Sequence, residues 1–149
     1  MRVLLVCSPG GHLQQMLALE PAWRDFDRAW VTLPGADVSS LLAAERVTLG
    51  HSPTNRNLKN LARNAMLAWR LLRRERPDAI LSTGAGLAVP FFLAGRVLGI
   101  RTVYVESVTR TESLSLSGRI VYPIAGSFFV QWPAVAERFK KARYEGAVL

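Results

Sequence analysis

Short apolar runs recur along this chain, and each gives way to a stretch with helical periodicity. Val3–Val6, Ala29–Leu33, Ala79–Leu81, Thr102–Val105 and Ser127–Val130 are almost continuously apolar, as parallel strands covered on both faces must be. Val47–Leu49 adds a sixth candidate strand. Helices are expected at Leu13–Glu20, Ser39–Ala44, Leu58–Arg74, Leu87–Leu98 and Leu114–Ala125. Strand and helix in alternation define an α/β class, a Rossmann-like doubly wound parallel sheet. The 149 residues suffice for one such domain, spanning 1–149. Ligands of these folds collect at the carboxyl ends of the strands, so the residues that follow each run matter most.

The first run passes into Ser8-Pro9-Gly10-Gly11-His12. Two glycines permit a tight turn and carry no side chain to hold a ligand away. The helix behind them offers free N–H groups and a positive dipole end, which suits a phosphate. His12 can add a hydrogen bond or act as a base; a plain strand-to-helix turn with a surface histidine is the alternative. Ser82-Thr83-Gly84-Ala85-Gly86 repeats the arrangement after another strand. The two loops face one crevice if their strands are neighbours. Neither is a dinucleotide fingerprint, and no acidic residue closes the second strand. A stand-alone nucleotide-binding enzyme of Rossmann type is therefore the second reading. Glu106-Ser107 ends a further strand; the carboxylate can contact a sugar hydroxyl, serve as a base, cap the next helix or pair with Arg110.

Charge adds a second constraint. The chain carries a net +8, and residues 56–76 hold seven of its nineteen basic residues against one acid, Glu75. On a helical projection, Arg56, Lys59, Arg63, Arg70 and Arg74 fall on one stripe. Met66, Leu67 and Trp69 flank it, while Leu61, Ala65, Ala68 and Leu72 are expected to face the sheet. A cationic face bordered by large apolar side chains suits an anionic lipid surface. A solvated helix surface would normally mix its charges. No nucleic-acid motif accompanies the charge, which leaves a nucleic-acid-binding module as the weakest reading. No apolar stretch approaches the roughly 20 residues of a membrane span, and Met1-Arg2 leads straight into a strand, so no signal peptide is expected. The single cysteine, Cys7, excludes a disulfide scaffold and suits a reducing compartment. With His12 and His51 the only histidines, no metal-ligand cluster is expected.

SPGGHLQQMLAL, DAILSTGAGLAVPFFLAGRVLGIRTVYVES, SLSLSGRIVYPIAGSFFVQWPAVAERF and YEGAVL, in this order, resemble the PssD-type bacterial exopolysaccharide proteins. These are similar to the membrane-anchor subunit of the split eukaryotic transferase that adds the second GlcNAc to dolichol-linked oligosaccharide. Both resemble the amino-terminal, acceptor-binding half of GT-B glycosyltransferases such as MurG. The resemblance implies an acceptor-binding, membrane-recruiting subunit, inactive alone, that works with a separate GT-B carboxyl-half subunit in polysaccharide biosynthesis. The substrate it implies is a polyprenyl-diphosphate-linked saccharide, and the UDP-sugar donor would sit on the partner, leaving this chain with no cofactor of its own. It places Gly10, Gly11 and His12 beside the acceptor pyrophosphate, with Ser82, Thr83, Gly84, Gly86, Glu106 and Ser107 along the same crevice. Eukaryotic members carry an amino-terminal transmembrane helix, whereas this chain starts at a strand. Peripheral attachment at the cytoplasmic face of the membrane, or anchoring supplied by another protein, is the corresponding expectation. Pro9 stands where relatives commonly have a small polar residue, which removes one N–H donor.

Overall fold

A computed structural model describes residues 1–148. The first half of the chain runs β1 (Arg2–Val6), α1 (Gly11–Ala18), α2 (Glu20–Trp23), β2 (Asp27–Thr32), α3 (Ala36–Leu41), β3 (Val47–Leu49) and α4 (Leu58–Glu75). The second half runs β4 (Ala79–Ser82), α5 (Ala88–Val97), β5 (Arg101–Val105), α6 (Leu116–Val121), β6 (Ser127–Phe129), α7 (Pro133–Arg138) and β7 (Ala142–Arg143). All six strand pairings are parallel, in the order β3-β2-β1-β4-β5-β6-β7. The chain lays strands outward from β1 to β3, returns through α4, and resumes outward from β4. The order reverses between β1 and β4, and such a switch opens a crevice at the carboxyl ends.

Period-two alternation divides β1 between two cores. Leu4 and Val6 join one with Val31, Ile80, Tyr104 and Phe128 under α4, α5 and α6. Val3, Leu5 and Cys7 join the other with Leu13, Met16, Trp23 and Trp30 under α1 and α2. Each large side chain buried this way is worth about 1.5–3 kcal/mol. Tyr104 stacks on Phe128 with ring centroids 4.9 Å apart, and Phe92 meets Tyr104 edge-on at 5.7 Å. Gly95 lets α5 settle on β4, since a Cβ there would lie 2.6 Å from Ile80 Cδ1.

The six expected strands are present. The two-residue β7 and the short α2 and α7 were not anticipated. The second helix begins three residues earlier than expected, at Ala36, and the expected Leu114–Ala125 helix contracts to Leu116–Val121.

The long helix α4 forms where expected but presents a different face. Its buried residues are Asn60, Asn64, Ala68, Leu71 and Leu72, whereas Leu61 and Ala65 are exposed. The two asparagines explain the rotation. Asn64 accepts from His51 N–H at 2.7 Å and donates to His51 C=O at 2.9 Å. Asn60 donates to Pro53 C=O at 3.0 Å. Buried amides find partners in the backbone of residues 51–53, so a polar stripe turns inward. Asn57 caps the helix by accepting from Asn60 N–H at 2.9 Å. Arg76 ends it in the left-handed conformation, φ +45°, just before Pro77.

Candidate functional site

A crevice of about 620 Å³ lies at the carboxyl ends of the strands, beside the β1/β4 switch. Its polar lining includes His12, Arg56, Ser107, Thr109, Arg110 and Ser115. Its aliphatic lining includes Leu58, Leu61, Val89, Leu116 and Ile120. Among the described residues, no carboxylate and no Phe, Tyr or Trp lines it.

Both glycine loops reach this end of the sheet because β1 and β4 are neighbours, with Val6 paired to Ser82. They are joined by two hydrogen bonds. His12 Nδ1 lies 2.8 Å from Thr83 C=O, and Thr83 Oγ1 donates to His12 C=O at 2.7 Å. A carbonyl only accepts, so Nδ1 carries the proton, and in the neutral imidazole Nε2 carries the lone pair. That is the tautomer a general base requires. Gly84 permits the approach: its φ is +116°, and a Cβ there would lie 3.1 Å from both His12 Cε1 and Tyr104 Oη. Ser82 Oγ accepts from Gly84 N–H at 3.1 Å and fixes the turn. Ala85 adopts φ +70°, a strained value for a residue with a Cβ and a recurrent mark of functional turns. Gly86 lines the crevice and lies against Thr54, whose Cβ would be 3.1 Å from an added methyl.

Gly10 and Gly11 stand outside the crevice lining. Gly10 N–H donates to Asp37 Oδ2 at 2.7 Å, so a carboxylate of the chain already meets the start of α1. A phosphate seated there would face that negative charge.

Glu106 is a correction to the expected site. Its side chain lies beneath the lining and the residue is 1 % exposed. Oε1 accepts from Ser107 N–H, Oε2 accepts from Ser115 N–H, and Ser115 Oγ lies 3.0 Å from each oxygen. Ser115 in turn accepts from Gly118 N–H and caps α6. The carboxylate is spent on positioning the loop and helix that follow β5, which leaves no oxygen for a sugar. It does not pair with Arg110. The turn that bears Arg110 is closed by its own N–H to Ser107 C=O at 3.0 Å, and Trp132 Nε1 holds it through Val108 C=O at 2.7 Å.

The expected cationic stripe is real but differently composed. Lys59, Arg63, Arg70 and Arg74 are exposed on α4, and so are Met66 and Trp69. Arg56 precedes the helix and belongs to the crevice. Leu67 is half-buried against the core rather than bordering the charge. Leu58 and Leu61, 80 % and 41 % exposed, carry the apolar border towards the crevice instead. No helix among the described residues is long and apolar enough to cross a membrane. No three of the described His, Cys, Asp and Glu residues are grouped to hold a metal ion.

Sequence reasoning missed Thr54, Asn55, Leu58, Thr109, Ser115 and Ile120. The segment HSPTNRN stood out as a polar loop, but only α4's rotation and the sheet order bring it against the second glycine loop.

A seven-stranded parallel sheet with its crevice at this switch is a doubly wound, Rossmann-like α/β fold. Its likeness to MurG of Acinetobacter baumannii has a TM-score of 0.75 at 18 % identity, over 90 % of this chain and 42 % of that one. UDP-GlcNAc 2-epimerase of Methanocaldococcus jannaschii, in complex with UDP-GlcNAc and UDP, gives 0.77 at 12 % identity over 99 % and 47 %. At these identities the likeness is one of fold.

The family follows from the sequence. Residues 51–148 match the family of oligosaccharide biosynthesis proteins described as Alg14 like, and the chain belongs to it. It is 40 % identical to the UDP-N-acetylglucosamine transferase subunit ALG14 of Eremothecium gossypii, over 77 % of this chain and 55 % of that protein. Against the human subunit of the same name it is 39 % identical, over 56 % and 41 %. The chain thus spans about half the length of these relatives.

Proposed function

We propose that this chain is the acceptor-binding, membrane-recruiting subunit of a two-component glycosyltransferase of the PssD type. The reaction passes a sugar from a UDP-sugar to a polyprenyl-diphosphate-linked saccharide, and a separate GT-B carboxyl-half subunit holds the donor. The observation that carries this reading is His12, which lines a crevice free of carboxylates and whose Nδ1 is committed to Thr83 C=O. Membership of a family whose relatives are named as transferase subunits supports it.

In this reading the acceptor hydroxyl lies against His12. Its oxygen forms the new bond to the anomeric carbon as the bond from that carbon to the diphosphate breaks. UDP leaves with the electron pair, and the hydroxyl proton passes to His12 Nε2, with inversion. A positioned base of this kind contributes about 10²–10⁴ in rate. Lys59, Arg63 and Arg70, with Met66 and Trp69, hold this domain at the cytoplasmic face of an anionic membrane.

The test is a transfer assay with labelled UDP-sugars and a lipid-linked acceptor, using this protein alone and with a co-expressed GT-B carboxyl half. Transfer only with both chains is the expected result. Transfer by this chain alone would overturn the half-enzyme reading.

A further inference from the structure

We propose that Arg56 and Arg110 form the diphosphate-binding subsite of the crevice, and that the start of α1 does not. This rests on the acceptor-side reading above and assigns the anion to different residues.

Three observations converge. First, Gly10 N–H, just ahead of α1, is bound to Asp37 Oδ2 at 2.7 Å, so a carboxylate already stands at the start of that helix, and Gly10 and Gly11 do not line the crevice. Second, Arg56 and Arg110 both line it, and neither forms an ion pair among the described residues. Two guanidinium groups with no ion-pair partner in a cavity without carboxylates suit an anion, and their planar forks match phosphate oxygens in pairs.

Third, both sit on braced turns rather than on loose loops. Arg56 holds φ +48° within a loop tied by Asn60 to Pro53 and by Asn64 to His51. Arg110 closes its turn onto Ser107, whose hydroxyl also lies 2.9 Å from Thr109 Oγ1. Strain held in place by its surroundings is a mark of functional turns.

The lining also distinguishes the two diphosphates of the reaction. A nucleoside diphosphate carries a flat base that seeks stacking or edge contacts, and among the described lining residues no Phe, Tyr or Trp offers a stacking face; the one ring, the His12 imidazole, is held edge-on to Thr83 C=O. Leu58, Leu61, Leu116 and Ile120 instead offer branched aliphatic surface beside the cations, which fits a prenyl chain.

The experiment is a calorimetric titration of the full chain with farnesyl diphosphate, below its micelle concentration, and with UDP and farnesol. Farnesyl diphosphate should bind more tightly than UDP. Arg56→Gln and Arg110→Gln should each weaken it about tenfold, the size expected for a lost charge-assisted hydrogen bond, and leave farnesol binding unchanged. Arg63→Gln, on α4 outside the crevice, controls for net charge and should keep the affinity. Neither crevice arginine makes an ion pair, so unchanged thermal melts should accompany the loss.

Wild-type affinity in the double variant R56Q/R110Q would overturn the proposal. So would UDP binding as tightly as farnesyl diphosphate with the same arginine dependence. Arginine-dependent farnesyl diphosphate binding beside a silent two-chain transfer assay would sustain the subsite while the transferase reading failed.

Discussion

Gly118 of α6 lies so close to the Glu106 carboxylate that no side chain fits between them: a Cβ there would overlap Oε2. The buried acid therefore fixes where the helix begins as well as how the loop before it runs. Gly118→Ala should force the carboxylate from its place and destabilise the fold by about 1–3 kcal/mol. Urea denaturation reads this directly. Glu106→Gln keeps the shape but sets an NH₂ against one of the N–H donors, so a smaller loss of about 1–2 kcal/mol is expected.

His12→Ala should lower transfer by the assembled enzyme by about 10²–10⁴ while leaving subunit association intact. Thr83→Val removes only the hydroxyl bond to His12 C=O and keeps the carbonyl that holds Nδ1. Its activity should lie between the two. Steady-state rates combined with a pull-down of the second subunit separate these effects.

Gly84→Ala places a methyl at φ +116° against the His12 ring and Tyr104 Oη. We expect a stability loss of about 1–3 kcal/mol from the backbone alone, with activity falling further because the ring must move. Thermal melts and transfer rates together resolve the two contributions.

Much of this architecture was legible because parallel strands buried on both faces must be apolar throughout. Ile80 is fully buried in one core, and Leu81, half-buried, packs against the other. The rotation of α4 was illegible for the opposite reason. Asn60 and Asn64 read as surface residues by type, and only the backbone of residues 51–53 makes burying them favourable. The crevice lay partly hidden too. Its lining comes from four segments, around His12, Thr54, Gly86 and Arg110, that only the strand order brings together. Glu106 was visible as a carboxylate at a strand end, but its role depended on Ser115, nine residues on, turning back to meet it.

Burial, and to a lesser degree the Asp37 charge, pushes the Cys7 thiol up to about 12 from an ordinary 9.0. The folded state holds its proton over a range in which the unfolded chain releases it. Stability from this group is complete below pH 9 and is lost as pH rises from about 9 to 12. Cys7→Ala should flatten that decline, whatever it costs in packing. At pH 8 a thiol reagent should label the wild type only as fast as it unfolds.

The exposed cations of α4 predict vesicle behaviour. A lysine or arginine near an anionic surface is worth about 1 kcal/mol, so reversing two charges with Arg63→Glu and Arg70→Glu should cost about 4 kcal/mol, on the order of 10³ in partitioning. Co-sedimentation with phosphatidylserine vesicles reads it. Binding that survives would remove α4 from the membrane account.

The way Asn60 and Asn64 hold the loop before α4 has a bearing on descent and engineering. Asn64 grips main-chain atoms of His51 and Asn60 the carbonyl of Pro53, so the loop is anchored ahead of positions 54–56 by bonds that do not involve their side chains. Those three residues form a cassette, and its contents can be exchanged without redrafting the scaffold. Lineages that share this fold are free to diversify what their crevices accept by editing a tripeptide, and a library confined to Thr54, Asn55 and Arg56 would explore that repertoire while the sheet beneath stays the same.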